Sequence, residues 1–181
     1  GVQTCALPIS EGARVIITAR DEAHLRGTVA EIAAAGGEAR GIVCDVADAA
    51  AVKSMAAEAE AAWGRIDVLV NNAGYFPHMS PVSEMSNDEW EHTLRANLTS
   101  AFYVSRAVLP GMIARRHGSV IMVSSTAAKM AYGFSTPYAA AKAGLFGLSR
   151  ALAGEAGAAG VRVNTLVPGL VRSTEMHHKV N

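Results

Sequence analysis

Cysteine is scarce in this chain: Cys5 and Cys44 are the only two, too few and too far apart for a disulfide framework or a zinc knuckle, and Cys44 sits in an apolar run. That usage points to a reducing, cytoplasmic setting. An excess of one charge is lacking as well, since 16 Lys plus Arg balance 16 Asp plus Glu. No basic field attracts a phosphate backbone and no acidic tail solvates a disordered segment, so nucleic acid is not an expected partner. No stretch approaches the roughly 20 uninterrupted apolar residues that span a bilayer, and no basic segment with an apolar core opens the chain. The reading is a soluble protein with no membrane partner.

What is present is apolar mass: half of the 181 residues are hydrophobic, enough for one substantial core and a single domain. Short β-rich runs alternate with longer Ala-rich segments, the pattern of a parallel sheet joined by crossover helices. The runs predict strands at Arg14 to Ala19, Ala39 to Cys44, Val68 to Val70, Ser119 to Val123 and Arg162 to Val167. Each is nearly continuously apolar, as a sheet covered on both faces requires. Helices are predicted over Glu22 to Ala35, Ala49 to Trp63, Glu89 to Arg115 and Pro137 to Ala156, with Gly36-Gly37, Gly64, Gly118 and Gly160 as the punctuation that closes them. The fold class is therefore doubly wound α/β. The one long connection without periodicity, Asn71 to about Asp88, reads as a loop over a site. Trp63, Trp90 and the methionines read as packing residues. His177-His178, adjacent and without a third ligand, read as solvated, and no metal site is assigned.

Tyr138 and Lys142 are four residues apart among strong helix formers, one turn apart on one face. A tyrosine ordinarily titrates near about 10, and an ammonium beside it stabilises the phenolate, which would bring Tyr138 toward values useful for acid/base chemistry. An isolated Y-x-x-x-K is common and more often a surface Tyr and a solvated Lys. Its company is what raises it. Ser125 follows the run Val120 to Val123, at a strand end where open α/β folds bind ligands. Asn71-Asn72-Ala73-Gly74 follows another strand, and its small residues let backbone approach a flat ligand. Asn97 is a mediocre helix former inside a helical stretch, and Pro168-Gly169 ends the last strand, ahead of Ser173 and Thr174.

From about Glu11 to about Thr174 these residues resemble the short-chain dehydrogenases/reductases of the common single-domain type. Asn71 to Gly74 matches the family's N-N-A-G, Asn97 its helix asparagine, Ser125 its serine, Tyr138 and Lys142 its Y-x-x-x-K, and Pro168-Gly169 its P-G, five matches in order at family spacing. The resemblance implies a Rossmann-like fold and hydride transfer between a nicotinamide and a carbonyl or alcohol substrate. It gives Tyr138 the role of proton donor to the carbonyl oxygen and Ser125 that of orienting that oxygen. Lys142 would hold the nicotinamide ribose and depress the Tyr138 pKa, and Asn97 would hold a relay water.

The resemblance also implies a cofactor site. Ala19-Arg20 ends the strand where NAD-binding members commonly carry an acid, and Arg without an acid suits a 2′-phosphate, so NADP is expected ahead of NAD. Arg20 as a surface residue paired with Asp21 or Glu22 is the plain alternative. Asp45 resembles the aspartate that contacts the adenine amino group, with Val46 beside it; as a helix cap it is outdone by Asp48. Asn71, Ala73, Gly74, Tyr138, Lys142, Pro168, Gly169, Val171 and Ser173 complete the expected cofactor contacts.

The chain departs from the family at its start. The first strand and the T-G-x-x-x-G-x-G turn that holds the pyrophosphate are missing from the sequence, and Gly1 to Pro8 resemble nothing expected there, so an incomplete frame with a foreign leader is expected. In the order 3-2-1-4-5-6 that strand is central, and its loss leaves two unpaired edges, in a chain expected to be crippled. Two rivals stand beside the oxidoreductase reading. A sugar-nucleotide epimerase or dehydratase shares Y-x-x-x-K, but such chains usually lack N-N-A-G. A silent scaffold fits the missing glycine turn and not the intact Asn97, Ser125, Tyr138 and Lys142. Family resemblance implies a homo-oligomer, dimer or tetramer, through Glu89 to Arg115 and Pro137 to Ala156. It covers 3-oxoacyl thioesters, sugars, steroids and small ketones alike.

Overall fold

The structure, a computed structural model, describes residues 9–131 and 133–169. Val171, Ser173, the two terminal histidines, Cys5 and the leader Gly1 to Pro8 therefore lie outside the described residues. Packing divides the chain into two compact units, Gly1–Gly64 and Arg65–Asn181.

In the first unit, β1 (Val15–Ala19) pairs in parallel with β2 (Ala39–Val43), in the register Val15 to Ala39 through Ala19 to Val43. Helix α1 (Glu22–Ala34) joins them and α2 (Ala49–Trp63) follows. Asp21 starts α1 by accepting the His24 N–H at 2.9 Å, and Asp48 starts α2 by accepting from Ala50 and Ala51 at 2.8 and 3.1 Å, so each first turn has an acceptor for otherwise orphaned donors. Leu25, Ile32, Val52 and Met55 make the core. Trp63 packs as predicted: its ring lies beneath the Arg14 and Arg40 guanidinium groups, and its Nε1 donates to Glu38 at 3.1 Å.

In the second unit, β3 (Val68–Asn71), β4 (Gly118–Val123) and β5 (Val161–Leu166) form a parallel sheet in the order β3-β4-β5. Among the described residues β3 has no partner on its other edge, nor has β1 in its own sheet. β4 is the centre, with Val120 and Met122 fully buried. Three helices serve this sheet: α3 (Asn87–Leu94), α4 (Ser100–Arg115) and α5 (Thr136–Ala156).

Two details differ from the expected elements. The single helix Glu89 to Arg115 is interrupted, because Arg95–Thr99 form a π-helical turn between α3 and α4. Gly118 does not close a helix. Arg116, at φ 55°, takes the left-handed position that ends α4, while Gly118 begins β4 and leaves room for Met112, whose Sδ would lie 2.5 Å from a Cβ there. Gly36, Gly64 and Gly160 do adopt positive φ.

Gly160→Ala meets both a φ of 76° and the Arg116 carbonyl oxygen 2.9 Å from the new Cβ, and should cost about 1–3 kcal/mol. Gly147→Ala, on an exposed position of α5 with nothing within 4 Å, should instead stabilise by about 0.5–1 kcal/mol. Urea unfolding of both variants checks this; shifts of the same sign would contradict the assigned backbone.

Candidate active site

Four side chains singled out in the sequence converge in the second unit. Helix α5 opens with Pro137 in its first turn, where a missing N–H costs nothing, and this sets Tyr138 and Lys142 one turn apart. Both are sunk into the unit, Tyr138 at 5% and Lys142 at 4% exposure. Facing them is the end of β4. Lys142 Nζ donates to the Val123 carbonyl at 3.0 Å and lies 5.6 Å from the centroid of the Tyr138 ring. Ser125 leaves the strand in extended conformation, accepts the Ala127 N–H at 3.2 Å to cap a single 3-10 turn over Thr126–Ala128, and hydrogen-bonds the Tyr138 phenol.

Asn97 comes to the same place from the π-helical turn. The wider turn offers backbone carbonyls off the regular ladder, and such turns gather at functional sites. Its Nδ2 donates to the Tyr75 carbonyl at 2.7 Å and to Thr93 at 3.0 Å, while its Oδ1 accepts the Tyr75 N–H at 3.2 Å. One buried amide thus clamps the backbone of the loop after β3. Gly74 explains why that loop fits: a Cβ there would stand 2.7 Å from Asn97 Oδ1 and 3.5 Å from Lys142 Nζ. Asn71, at the end of β3, donates to Ser105 Oγ at 3.0 Å, which fixes the strand end on α4. Ala73 and Gly74 are exposed.

Sequence reasoning missed several participants. Phe76 stands edge-on to Tyr138, with ring centroids 4.9 Å apart. Tyr75 meets His92 edge-on at 4.6 Å and donates its hydroxyl to Glu89 at 3.2 Å, pinning the loop to α3. Ser124 donates to the Lys142 carbonyl at 2.8 Å. An aromatic in an aperiodic loop leaves no pattern, although the pair Tyr75-Phe76 directly after N-N-A-G was the available signal.

The remaining expected cofactor residues are placed as follows. Pro168 follows β5, its carbonyl accepting from Thr126 at 3.2 Å, and Gly169 is exposed beside it. In the first unit Arg20 is exposed just past β1; of its neighbouring acids, Asp21 caps α1 and Glu22 pairs with Arg26 at 3.3 Å. Asp45 follows β2, exposed, and accepts the Ala47 N–H at 2.9 Å in a turn that includes Val46; Asp48 and not Asp45 caps α2.

The electrostatics correct one expectation. The Tyr138 pKa is not depressed but raised, because burial of the phenol outweighs the hydrogen bond from Ser125. Lys142 donates from its ammonium to the Val123 carbonyl, 5.6 Å from the centre of the Tyr138 ring, and burial lowers its own pKa to about 8. Both charged forms are disfavoured for the same reason. A lysine whose folded pKa lies below its unfolded value takes up protons on unfolding, so its burial costs stability below about pH 8 and that cost fades as pH rises toward the unfolded value. Tyr138 opposes this only above its own ordinary range. Between pH 7 and 9.5, urea unfolding should show the wild-type chain gaining about 2 kcal/mol more than Lys142→Met; equal gains would contradict the burial of the amine.

The chain is also similar to known proteins. The sequence profile described as short chain dehydrogenase matches residues 1–181. The 3-oxoacyl-[acyl-carrier-protein] reductase FabG of Escherichia coli is 37% identical over 164 residues, covering 91% of this chain and 66% of that protein. The (2S)-[(R)-hydroxy(phenyl)methyl]succinyl-CoA dehydrogenase subunit BbsD of Thauera aromatica is 39% identical over 173 residues, covering 96% and 69%. Among solved structures, an actinorhodin polyketide ketoreductase variant with NADPH superposes at a TM-score of 0.94 with 35% identity, over 99% of this chain and 69% of that one. A metagenomic short-chain oxidoreductase in complex with NADP superposes at 0.89 with 40% identity, over 99% and 81%. The chain spans about two thirds of the length of the curated relatives it matches. With the Rossmann-like α/β fold and the full-length profile match together, the chain belongs to the short chain dehydrogenase family.

Proposed function

We propose that the protein is an oxidoreductase that moves hydride between NADP(H) and a carbonyl or alcohol, with chemistry of the 3-oxoacyl reductase kind. The observation that carries this reading is the cluster of half-buried Ser125 with buried Tyr138 and Lys142, in which a hydrogen bond joins the serine to a phenol kept neutral by burial. Similarity to an oxoacyl reductase and to a polyketide ketoreductase structure with NADPH supports the substrate class, and the latter together with a short-chain oxidoreductase structure with NADP supports the cofactor.

The residues present fit a nicotinamide cofactor. Gly74 and Ala73 give a backbone surface free of bulk beside Lys142, and a Cβ at Gly74 would fill the approach. Lys142 is proposed to turn its amine from the Val123 carbonyl to the ribose hydroxyls, and Asn71, Pro168, Gly169, Val171 and Ser173 to be further cofactor contacts. Arg20, its neighbouring acids engaged elsewhere, is proposed to take the 2′-phosphate, and Asp45 and Val46 the adenine. The bound cofactor supplies the hydride that reduces the carbonyl carbon.

Everything else falls to side chains. Ser125 orients the substrate oxygen while Tyr138, a phenol and not a phenolate at neutral pH, gives that oxygen its proton. Asn97, whose Oδ1 keeps a second lone pair, orders a water that returns a proton to Tyr138. We also propose a cytoplasmic homo-oligomer, dimer or tetramer, assembled through Glu89 to Arg115 and Pro137 to Ala156; on the first of these Phe102, Ile113 and Trp90, the last expected to pack, are exposed. Among the described residues no helix is long and apolar enough to cross a membrane.

With NADPH and a 3-oxoacyl thioester, Tyr138→Phe should lower kcat by about 10²- to 10⁴-fold with little change in cofactor affinity. Arg20→Ala should weaken NADPH and leave NADH unchanged, read by fluorescence titration. A folded chain that binds neither nucleotide would instead favour a silent scaffold.

A further inference from the structure

Three consecutive residues at the end of β4 grip one turn of α5. The Val123 carbonyl accepts from Lys142 Nζ at 3.0 Å, the Ser124 hydroxyl donates to the Lys142 main-chain carbonyl at 2.8 Å, and the Ser125 hydroxyl bonds the Tyr138 phenol. Lys142 is thus held at both ends, backbone and ammonium, by two adjacent residues of one strand. Ser124 is itself fixed, because its N–H donates to the Leu166 carbonyl of β5 at 2.8 Å, and at 2% exposure it cannot reach a substrate.

The carbonyl of Lys142 lies in the interior of α5, where the helix already supplies an N–H partner. The Ser124 bond is therefore a second one on the same oxygen, and satisfaction of the helix does not require it. Alanine would fill the same place without a hydroxyl to desolvate. What the hydroxyl adds is location: it stops α5 from sliding or turning on β4 at the turn that carries both Lys142 and Tyr138. A lysine stem has four soft torsions, so only a fixed backbone makes the 3.0 Å contact of Nζ with Val123 a defined position.

We propose that Ser124 is the positioning residue of Lys142, locking the height of α5 on the sheet so that the amine is held, dry, beside Tyr138 and Gly74. The proposal rests on the assignment of Lys142 to the active site, but its main readout needs no turnover.

The test uses the full chain labelled with ¹³C at lysine Cε, with the Lys142 resonance identified by its loss in Lys142→Met. In the wild type it should titrate near about 8. In Ser124→Ala the released amine gains water, and its proton affinity should rise by about tenfold or more, one pKa unit. Ser124→Thr, which keeps the hydroxyl, should restore the wild-type titration. With NADPH and a ketone, kcat/KM should fall by about tenfold in the alanine variant and recover in the threonine variant. An alanine variant that is less stable yet titrates as the wild type does would show a merely structural hydroxyl and overturn the proposal. Should Ser124→Ala fail to fold by circular dichroism, Ser124→Cys, similar in size and a poor donor, takes its place with the same criterion. A shifted Lys142 in a chain without reductase activity would overturn the proposed function and leave the positioning role standing.

Discussion

Because the amine of Lys142 is kept from water, with a strand-end carbonyl as its visible partner, the surrounding structure has to hold it there. A buried ammonium is costly, and here the cost appears as a pKa lowered to about 8. The same dryness raises the Tyr138 pKa, so the pair is set as a neutral phenol beside a readily neutralised amine. A phenol in that state keeps its proton through the neutral range, as the donor role proposed for it requires, while being a weaker acid than an ordinary tyrosine. The geometry of the site follows from this one constraint, since a dry pocket must be closed by fixed groups.

Those groups come from different parts of the second unit and are tied by short bonds. The π-helical turn brings Asn97 against the loop after β3, and its amide holds the Tyr75 backbone on both sides. Gly74 is what makes this approach possible, and Phe76 then stands against the Tyr138 ring. Ser124 and Ser125 fasten α5 from the strand side. Tyr138 is thus bounded by a loop, a strand end and a neighbouring amine on its own helix.

Much of this was legible in the sequence, for identifiable reasons. The strands lie within a residue of expectation because parallel strands read as apolar runs, but the sheets of the described residues are not covered on both faces as expected, since Val43, Val68, Val70 and Leu166 are exposed. Helix α2 matches end for end because Asp48 and Gly64 punctuate it chemically. Tyr138 and Lys142 are marked by helix spacing, Ser125 by a strand end and Asn97 by an amide within a helical stretch, and it is the resemblance to the family that singles the four out together. The π-helical turn was not legible: it shifts a hydrogen-bond ladder by one residue and marks the sequence only through an amide in a helix. Arg116 took a left-handed position expected of a glycine because the Gly118 space was needed for Met112. The direction of the Tyr138 shift was misread for a deeper reason. Four-residue spacing says that a charge is near, but only packing says whether that charge faces the phenol and how much water remains.

Whether burial leaves Tyr138 a neutral acid beside a weakened lysine base can be measured by titrating the chain with its tyrosines labelled with ¹³C at Cζ. The Tyr138 resonance would be identified by its absence from Tyr138→Phe. Tyr138 in the free chain should ionise above the ordinary tyrosine value and remain a phenol throughout the neutral range. Ionisation near neutral pH would contradict it, and would mean that the lysine charge, rather than the loss of water, governs the site.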